Sequence, residues 1–559
     1  MAEKKTYKEI CEAFQWDDVF AGFDWNPSLR FNMAHEICDR HASAPGPAAV
    51  YWIGKNQETR EYTFLQLKEL SNRFANVLRS LGIKKGDRVA CLLPKVPELL
   101  ISILGTLKLG AVYVPLFTAF GPKAVQYRLN HCRARAVVTN GQFFPNVGDV
   151  LSELPDLEYI INVDSTGEEK DSKRNIEYWK AMDKAPTTFS VEEMKFDDLA
   201  IIQYTSGSTG MPKGAMWSNK TLSAIRPFLL YAVGLQPGEA LWGPADPGWA
   251  YGLVASLLGP LSMNATIILC EIPFAPEPYY QVMEKYRVEK FLFAPVAYRY
   301  FLAAGDELRH KYDIHLKAAC SGGEPLNPEV LSWFEKNFGT KIYDGYGCTE
   351  TSMTISNLSS SSMPVKPGSM GLPLPGAEIA LLDESGNLVP GGQTGQICYN
   401  TASLSNAFLG YLDEPEKTKS SFINNTWFKT GDLALRDEDG YYFFQGRNDD
   451  IIKSSGYRIG PFEIESTLAE HPTVADAAVI GVPDAEKKEA IIAYVQLRPS
   501  NSPSPGLADE LILFVKNRLA KHQTPRRIMF LDALPRNPSG KVLRYQLREA
   551  AAKEGSLAE

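Results

Sequence analysis

At 559 residues and 62.0 kDa the chain exceeds what one hydrophobic core ordinarily supports, and 44% hydrophobic with 22% charged residues is globular composition, predicting one large composite domain and a smaller one. The formal net charge of -8 excludes a general nucleic-acid coat, which needs excess Lys and Arg to displace counterions from phosphates. Eight cysteines without a CxxC pair exclude a disulfide framework or zinc knuckle and read as reduced thiols of a cytoplasmic protein.

The first residues (MAEKKTYKEICEAF) mix Glu with Lys and lack an apolar core, so neither a secretory signal nor a transit peptide is expected. His35 and His41, six apart, fall on different helix faces and do not predict a metal pair. Residues 65–82 (LQLKELSNRFANVLRSLG) carry apolar positions at helical spacing, 87–94 (DRVACLLP) read as a buried strand, and 96–109 as a second helix ending at Gly110. The same rhythm recurs at ARAVVTN, EYIINVD, LAIIQ, ATIILC and KFLFAP, which predicts α/β sheets covered by helices. Apolar runs at 99–116 and 252–261 are broken by Lys108, Ser256 or Pro260, short of the ~20 residues of a span, so no stable membrane insertion is expected.

Between 364 and 432 short strands with Gly and Pro turns predict a small β-barrel or antiparallel sheet. From Asp449 onward a compact α+β module follows, with strands at AAVIGV and AIIAYVQL, an exposed SNSPSPG loop and a helix at 507–522. This module is electrically neutral, yet residues 511–548 hold nine bases against the single acid Asp532, as a polyphosphate ligand would require.

The string 204–214, YTSGSTGMPKG, follows the buried LAIIQ strand. Glycines and hydroxylated residues there can wrap N–H groups round a phosphate, and Lys213 adds a cation; the Walker pattern cannot be laid on it. This string resembles the phosphate loop of the acyl-adenylate-forming superfamily of acyl-CoA synthetases, luciferases and adenylation domains. Six more motifs follow in the family's order: ADPGW (245–249), SGGEPL (321–326), YDGYGCTET (343–351), TGD (430–432), GRNDDIIKSSGYRIGPFEIE (446–465) and PRNPSGKVLR (535–544). The texture is most like medium-chain acyl-CoA synthetases.

The resemblance implies a large N-terminal domain, residues 1–448, of two α/β subdomains plus a small β-barrel, and a small mobile α+β domain, 449–559, hinged at Asp449. It implies ATP, Mg²⁺ and coenzyme A as cofactors, a small-molecule carboxylic acid as substrate, and no nucleic-acid partner. ATP would be held by Thr205, Ser206, Gly207, Ser208, Thr209, Gly210 and Lys213, by Gly323, Glu324 and Pro325, and by Asp344, Gly345, Tyr346, Gly347, Cys348 and Thr349. Asp432 would bind ribose, Arg447 phosphate or ribose oxygens, and Thr205 and Glu350 the metal. Lys541 resembles the catalytic lysine, with Glu350 and Lys213 as its companions in catalysis. Ser455, Gly456, Tyr457 and Arg458 look like the CoA loop, and Lys487 and Lys516 stand where medium-chain relatives place basic CoA contacts.

Acetate-specific members carry Trp where this chain has Gly347, so an open acyl pocket walled by Trp249 and Tyr251 is expected, favouring a medium-length, branched or aromatic acid over acetate. An alternative is a stand-alone adenylating enzyme that loads a carrier-protein phosphopantetheine. A catalytically silent nucleotide scaffold would not need Lys213, Glu350, Asp432, Arg447 and Lys541 together. In one departure from the pattern, Trp217 stands where many relatives have His.

Overall fold

A computed structural model describes residues 4–43, 46–164, 174–205, 211–323, 326, 328–402, 406–454, 457–484, 487–499, 501–536 and 542–555. They divide into two compact units, Met1–Glu378 with Asn400–Phe428, and Ile379–Tyr399 with Lys429–Glu559. The expected break at 448/449 lies inside the second unit.

The alternating periodicities of the first unit become two large sheets. One has eight strands, in the order Phe408–Tyr411, Lys213–Ser218, Leu199–Thr205, Val112–Pro115, Arg88–Leu92, Ala136–Thr139, Tyr159–Asn162 and Asn175–Glu177. Its last six strands are parallel, and the first three form antiparallel pairs at the end that carries the 204–214 motif. The other sheet has nine strands. Its parallel centre includes Ala48–Ile53, Thr266–Cys270, Ala240–Trp242, Lys290–Phe293, Ala318–Gly322 and Ile342–Cys348. Antiparallel strands close both edges.

Local chemistry explains the boundaries. The expected helix at 65–82 is Phe64–Ser80, started by a reciprocal Thr63–Gln66 capping box. That at 96–109 is Pro97–Lys108, with Pro in the first turn and every residue buried. Gly110 stops it at φ 69°, a left-handed conformation that residues with a Cβ rarely adopt. These helices pack in the main core with Phe228, Leu229, Leu257 and Ile267. Two segments the apolar pattern left unspecified, Phe228–Val233 and Tyr251–Leu258, are π-helices, a form enriched near functional sites.

In the second unit Ile379–Leu382 pairs with Thr394–Asn400, and the Trp427–Arg436 strand, which enters this unit at Lys429, pairs with Tyr442–Arg447. The C-terminal module is a hairpin, Val474–Asp484 with Lys488–Leu497, joined in parallel by Arg527–Phe530. Helices Pro461–Ala469 and Pro505–Lys516 bury Ile464, Leu468, Leu511 and Val515 against it. The SNSPSPG segment differs from expectation at its end. Ser504 caps the helix by accepting from Leu507 N–H, and Pro505 and Gly506 are already its first turn. Among the described residues all eight cysteines are free and no helix is long and apolar enough to cross a membrane.

Candidate active site

The register of the hairpin sets the phosphate-loop motif. Thr205 pairs with Lys213 at the end of the hairpin register. Ser206, Gly207, Ser208, Thr209 and Gly210 lie outside the described residues, as do Glu324, Pro325, Ser455, Gly456, the Arg458 side chain and Lys541. Lys213 Nζ lies 5.0 Å from the centre of the Tyr411 ring. The Tyr411 hydroxyl donates to Glu350 Oε1 at 2.6 Å. Burial first, and then the Glu350 charge, push the Tyr411 pKa well up, so the phenol remains a donor. Lys213, Tyr411 and Glu350 thus form one chain of contacts, although Tyr411 belongs to none of the seven motifs. It comes in through its strand, which pairs Tyr411 with Ala215.

No group of three or more His, Cys, Asp or Glu among the described residues could by itself hold a metal. Glu350, with one oxygen engaged by Tyr411, fits the mode in which Mg²⁺ takes one or two protein oxygens and completes its shell with water and phosphate.

Parallel pairing of Ala318–Gly322 with Ile342–Cys348 brings Ser321 beside Asp344 and Gly322 beside Gly345. Asp344 is buried, and its Oδ1 has no hydrogen-bond partner among the described residues. Desolvation pushes its pKa up to about 8, with the Ser321 hydroxyl and the Gly345 N–H acting in the opposite sense. At neutral pH the carboxyl is therefore protonated and can both donate and accept. Its folded pKa exceeds an unfolded value near ~3.9. The associated stability is complete below that lower value and is lost as pH rises towards about 8. We expect Asp344→Asn to gain stability over the parent by up to about 1.4 kcal/mol for each pH unit across that window. Urea melts at pH 5 and pH 8 test this, and an equal difference at both would refute the assignment.

Gly323, at φ 98°, leaves room for Trp249: an added Cβ would lie 3.1 Å from the indole. The Trp249 and Tyr251 rings are 5.4 Å apart, and a Cβ on Gly322 would lie 3.7 Å from both the Tyr251 ring and Met353 Cε. Met353, which sequence reasoning missed, also approaches Gly345. Gly347 follows a register shift between the Ile342–Cys348 and Ser352–Ser356 strands, and a Cβ there would sit 2.2 Å from the Ser352 carbonyl oxygen. The missing side chain thus points at backbone. Cys348 Sγ lies 3.3 Å from Thr351 Oγ1, beside the turn that holds Thr349 and Glu350. Trp217 is buried in the main core, opposite Phe408. His35 Nε2 is 2.7 Å from Asp24, and His41 Nε2 faces the Ser262 carbonyl.

In the second unit Asp432 and Arg447 are cross-strand partners, 3.5 Å apart, and Arg447 Nε donates to Asp449 at 3.1 Å. Gly431, at φ 81°, permits this approach, since a Cβ would lie 3.0 Å from the guanidinium. Tyr457 stacks on His522, ring centres 4.0 Å apart. Lys487 and Lys516 are exposed. The basic cluster of 511–548 is less one-sided in space than in sequence. Arg518, Arg526, Arg536, Arg544 and Arg548 pair with Glu470, Asp484, Asp476, Glu465 and Asp450, acids that precede the cluster in the chain. Lys516, Lys521 and Arg527 make no ion pair among the described residues.

The sequence profile of the AMP-binding enzyme family matches residues 38–412, and that of the AMP-binding enzyme C-terminal domain matches 463–541. The chain belongs to the AMP-binding enzyme family. It is 39% identical to the acetyl-coenzyme A synthetase of Bacillus subtilis, over 97% of this chain and 95% of that one. It is 34% identical to the mitochondrial acyl-coenzyme A synthetase ACSM3 of Mus musculus, over 93% and 90%. Among solved structures, an acyl-CoA synthetase of Brucella canis superposes with a TM-score of 0.78 at 38% identity, covering 99% of this chain and 100% of that one. A benzoate CoA ligase from Burkholderia xenovorans does so at 0.82 and 31%, covering 93% and 100%. The chain is thus an AMP-forming carboxylic acid–CoA ligase, of a family that uses ATP, Mg²⁺ and CoA, and the expected fold class holds.

Proposed function

We propose that this AMP-forming ligase activates a medium-length, branched or aromatic acid as its acyl-adenylate and passes the acyl group to free CoA. The observation that carries the reading is the wall of Trp249, Tyr251 and Met353 against the side-chain-free Gly322, Gly323 and Gly345. An apolar wall of this kind favours each further buried CH₂ by ~0.8 kcal/mol. Gly347 adds no side chain of its own. The relatives are named acetyl-coenzyme A synthetase, benzoate CoA ligase and anthranilate CoA ligase, so they leave the acid open.

In the proposed first half-reaction the acid carboxylate attacks the α-phosphorus of ATP and pyrophosphate leaves. Lys213 and Lys541 offset charge on the phosphates, and Asp432 accepts from the ribose hydroxyls. The protonated carboxyl of Asp344 suits the adenine edge, accepting from its amino group and donating to its ring nitrogen. Glu350, with Thr205, would hold Mg²⁺, which supplies charge neutralisation to the phosphates when bound. For thioester formation the chain is proposed to turn at Asp449, which Arg447 holds by a hydrogen bond, with Tyr457, Lys487 and Lys516 serving CoA.

AMP release measured for straight acids from C2 to C10, and for branched and aromatic acids, with and without CoA, tests both parts. We expect kcat/KM to rise about fourfold per added CH₂ until the pocket is filled, and turnover to require CoA. Acetate as the best acid would reject the pocket, and turnover only with a phosphopantetheinyl carrier would reject CoA.

A further inference from the structure

The Pro122–His131 helix contributes no motif, yet it holds both ends of the 205–213 segment. At the exit, the Tyr127 hydroxyl donates to the Pro212 carbonyl at 3.0 Å, one residue before Lys213. At the entry, the Tyr204 hydroxyl donates to the Arg128 carbonyl at 3.2 Å and lies 2.9 Å from His131 Nδ1, one residue before Thr205. Tyr204 has a single proton. With that proton directed to Arg128, His131 must donate from Nδ1. Tyr127 and His131, four residues apart, stack with ring centres 5.5 Å apart and 17° between planes, so both grips come from one helix face. The Arg128 guanidinium lies over the Phe120 ring at 3.8 Å and over the Tyr204 ring at 5.6 Å, a further contact from the same helix. The hairpin register places Tyr204 opposite Gly214, where a Cβ would lie 3.5 Å from the Tyr204 ring. Both ends of the segment are therefore referenced to the same helix.

We infer that Tyr127 and His131 are positioning residues for ATP: they set where Thr205 and Lys213 stand before the phosphates arrive. Pre-setting these groups lowers the ordering cost that binding would otherwise carry. The inference rests on the reading of 204–214 as the phosphate loop.

The test is calorimetric titration of the full-length protein with Mg²⁺ and α,β-methylene-ATP, and separately with CoA, for Tyr127→Phe, His131→Phe and Lys213→Met. Tyr127→Phe keeps the ring and loses one neutral hydrogen bond, so its Kd for the nucleotide should rise about fivefold. His131→Phe should act in the same direction, and the double variant should exceed either. Affinity for CoA and the Tm should stay at parent values, which separates positioning from general damage. An unchanged nucleotide Kd in Tyr127→Phe, or a rise matched by weakened CoA binding and a lowered Tm, overturns the inference. If Lys213→Met also leaves the nucleotide Kd unchanged, the phosphate-loop reading itself fails. If Lys213→Met weakens binding and Tyr127→Phe does not, only the positioning role fails.

Discussion

Lys541→Ala will reduce acid-dependent ATP–pyrophosphate exchange by about 10²–10³-fold and leave transfer from preformed acyl-adenylate to CoA at the parental rate. The two half-reactions differ in where charge develops. In the first, charge grows on a five-coordinate phosphorus and on departing pyrophosphate, and a preplaced ammonium lowers that barrier. In the second, a thiol attacks an acyl carbonyl and the pyrophosphate is already gone. Arg536 and Val542, the described residues on either side of 537–541, form an antiparallel bridge, and Arg536 is paired to Asp476. Exchange of labelled pyrophosphate, followed by single-turnover transfer from a synthetic adenylate, measures both halves. Exchange at the parental rate would remove Lys541 from its role, and equal loss in both halves would point to a structural one.

Glu350→Gln should lower kcat/KM by about 10²-fold at ordinary Mg²⁺ levels and raise the Mg²⁺ concentration needed for half-maximal rate. The amide can still accept from Tyr411, so the side chain keeps its place and loses the charge that Mg²⁺ requires. Tyr411→Phe keeps the charge and loses the orienting bond; outer partners of this kind typically contribute 10–100-fold in metal affinity, so a shift of about tenfold in Mg²⁺ dependence is expected. Initial rates across a Mg²⁺ titration separate the two. A Glu350→Gln enzyme with parental Mg²⁺ dependence would eliminate the metal-ligand assignment.

Short-range features were legible in the chain. The helices Phe64–Ser80 and Pro97–Lys108 and the strand Arg88–Leu92 follow directly from apolar spacing and from Thr63, Pro97 and Gly110. Asp432 and Arg447 proved to be cross-strand partners, fifteen residues apart in two separate motifs. Less was legible where side chains meet across long separations. Tyr411 reaches Glu350 over 61 residues, and no periodicity links FLGYLDEP to YDGYGCTET. Met353 follows a motif without belonging to it. The excess of bases at 511–548 looked uncompensated because the neutralising acids, from Asp450 to Asp484, come earlier in the chain.

Gly347 shows the same division at one position. Its lack of a side chain is plain in YDGYGCTET, but the direction a side chain would take is set by the register shift against Ser352–Ser356. The sequence alone determined the family, the order of its motifs and the elements that carry them, because turn chemistry, caps and hydrophobic period act within a few residues. Only the tertiary structure decided that Tyr411 holds Glu350, that burial raises the Asp344 pKa, and that one helix grips both ends of the 205–213 segment. Burial, register and hydrogen-bond geometry are properties of residues brought together from distant parts of the chain, and they exist only once the sheets have formed.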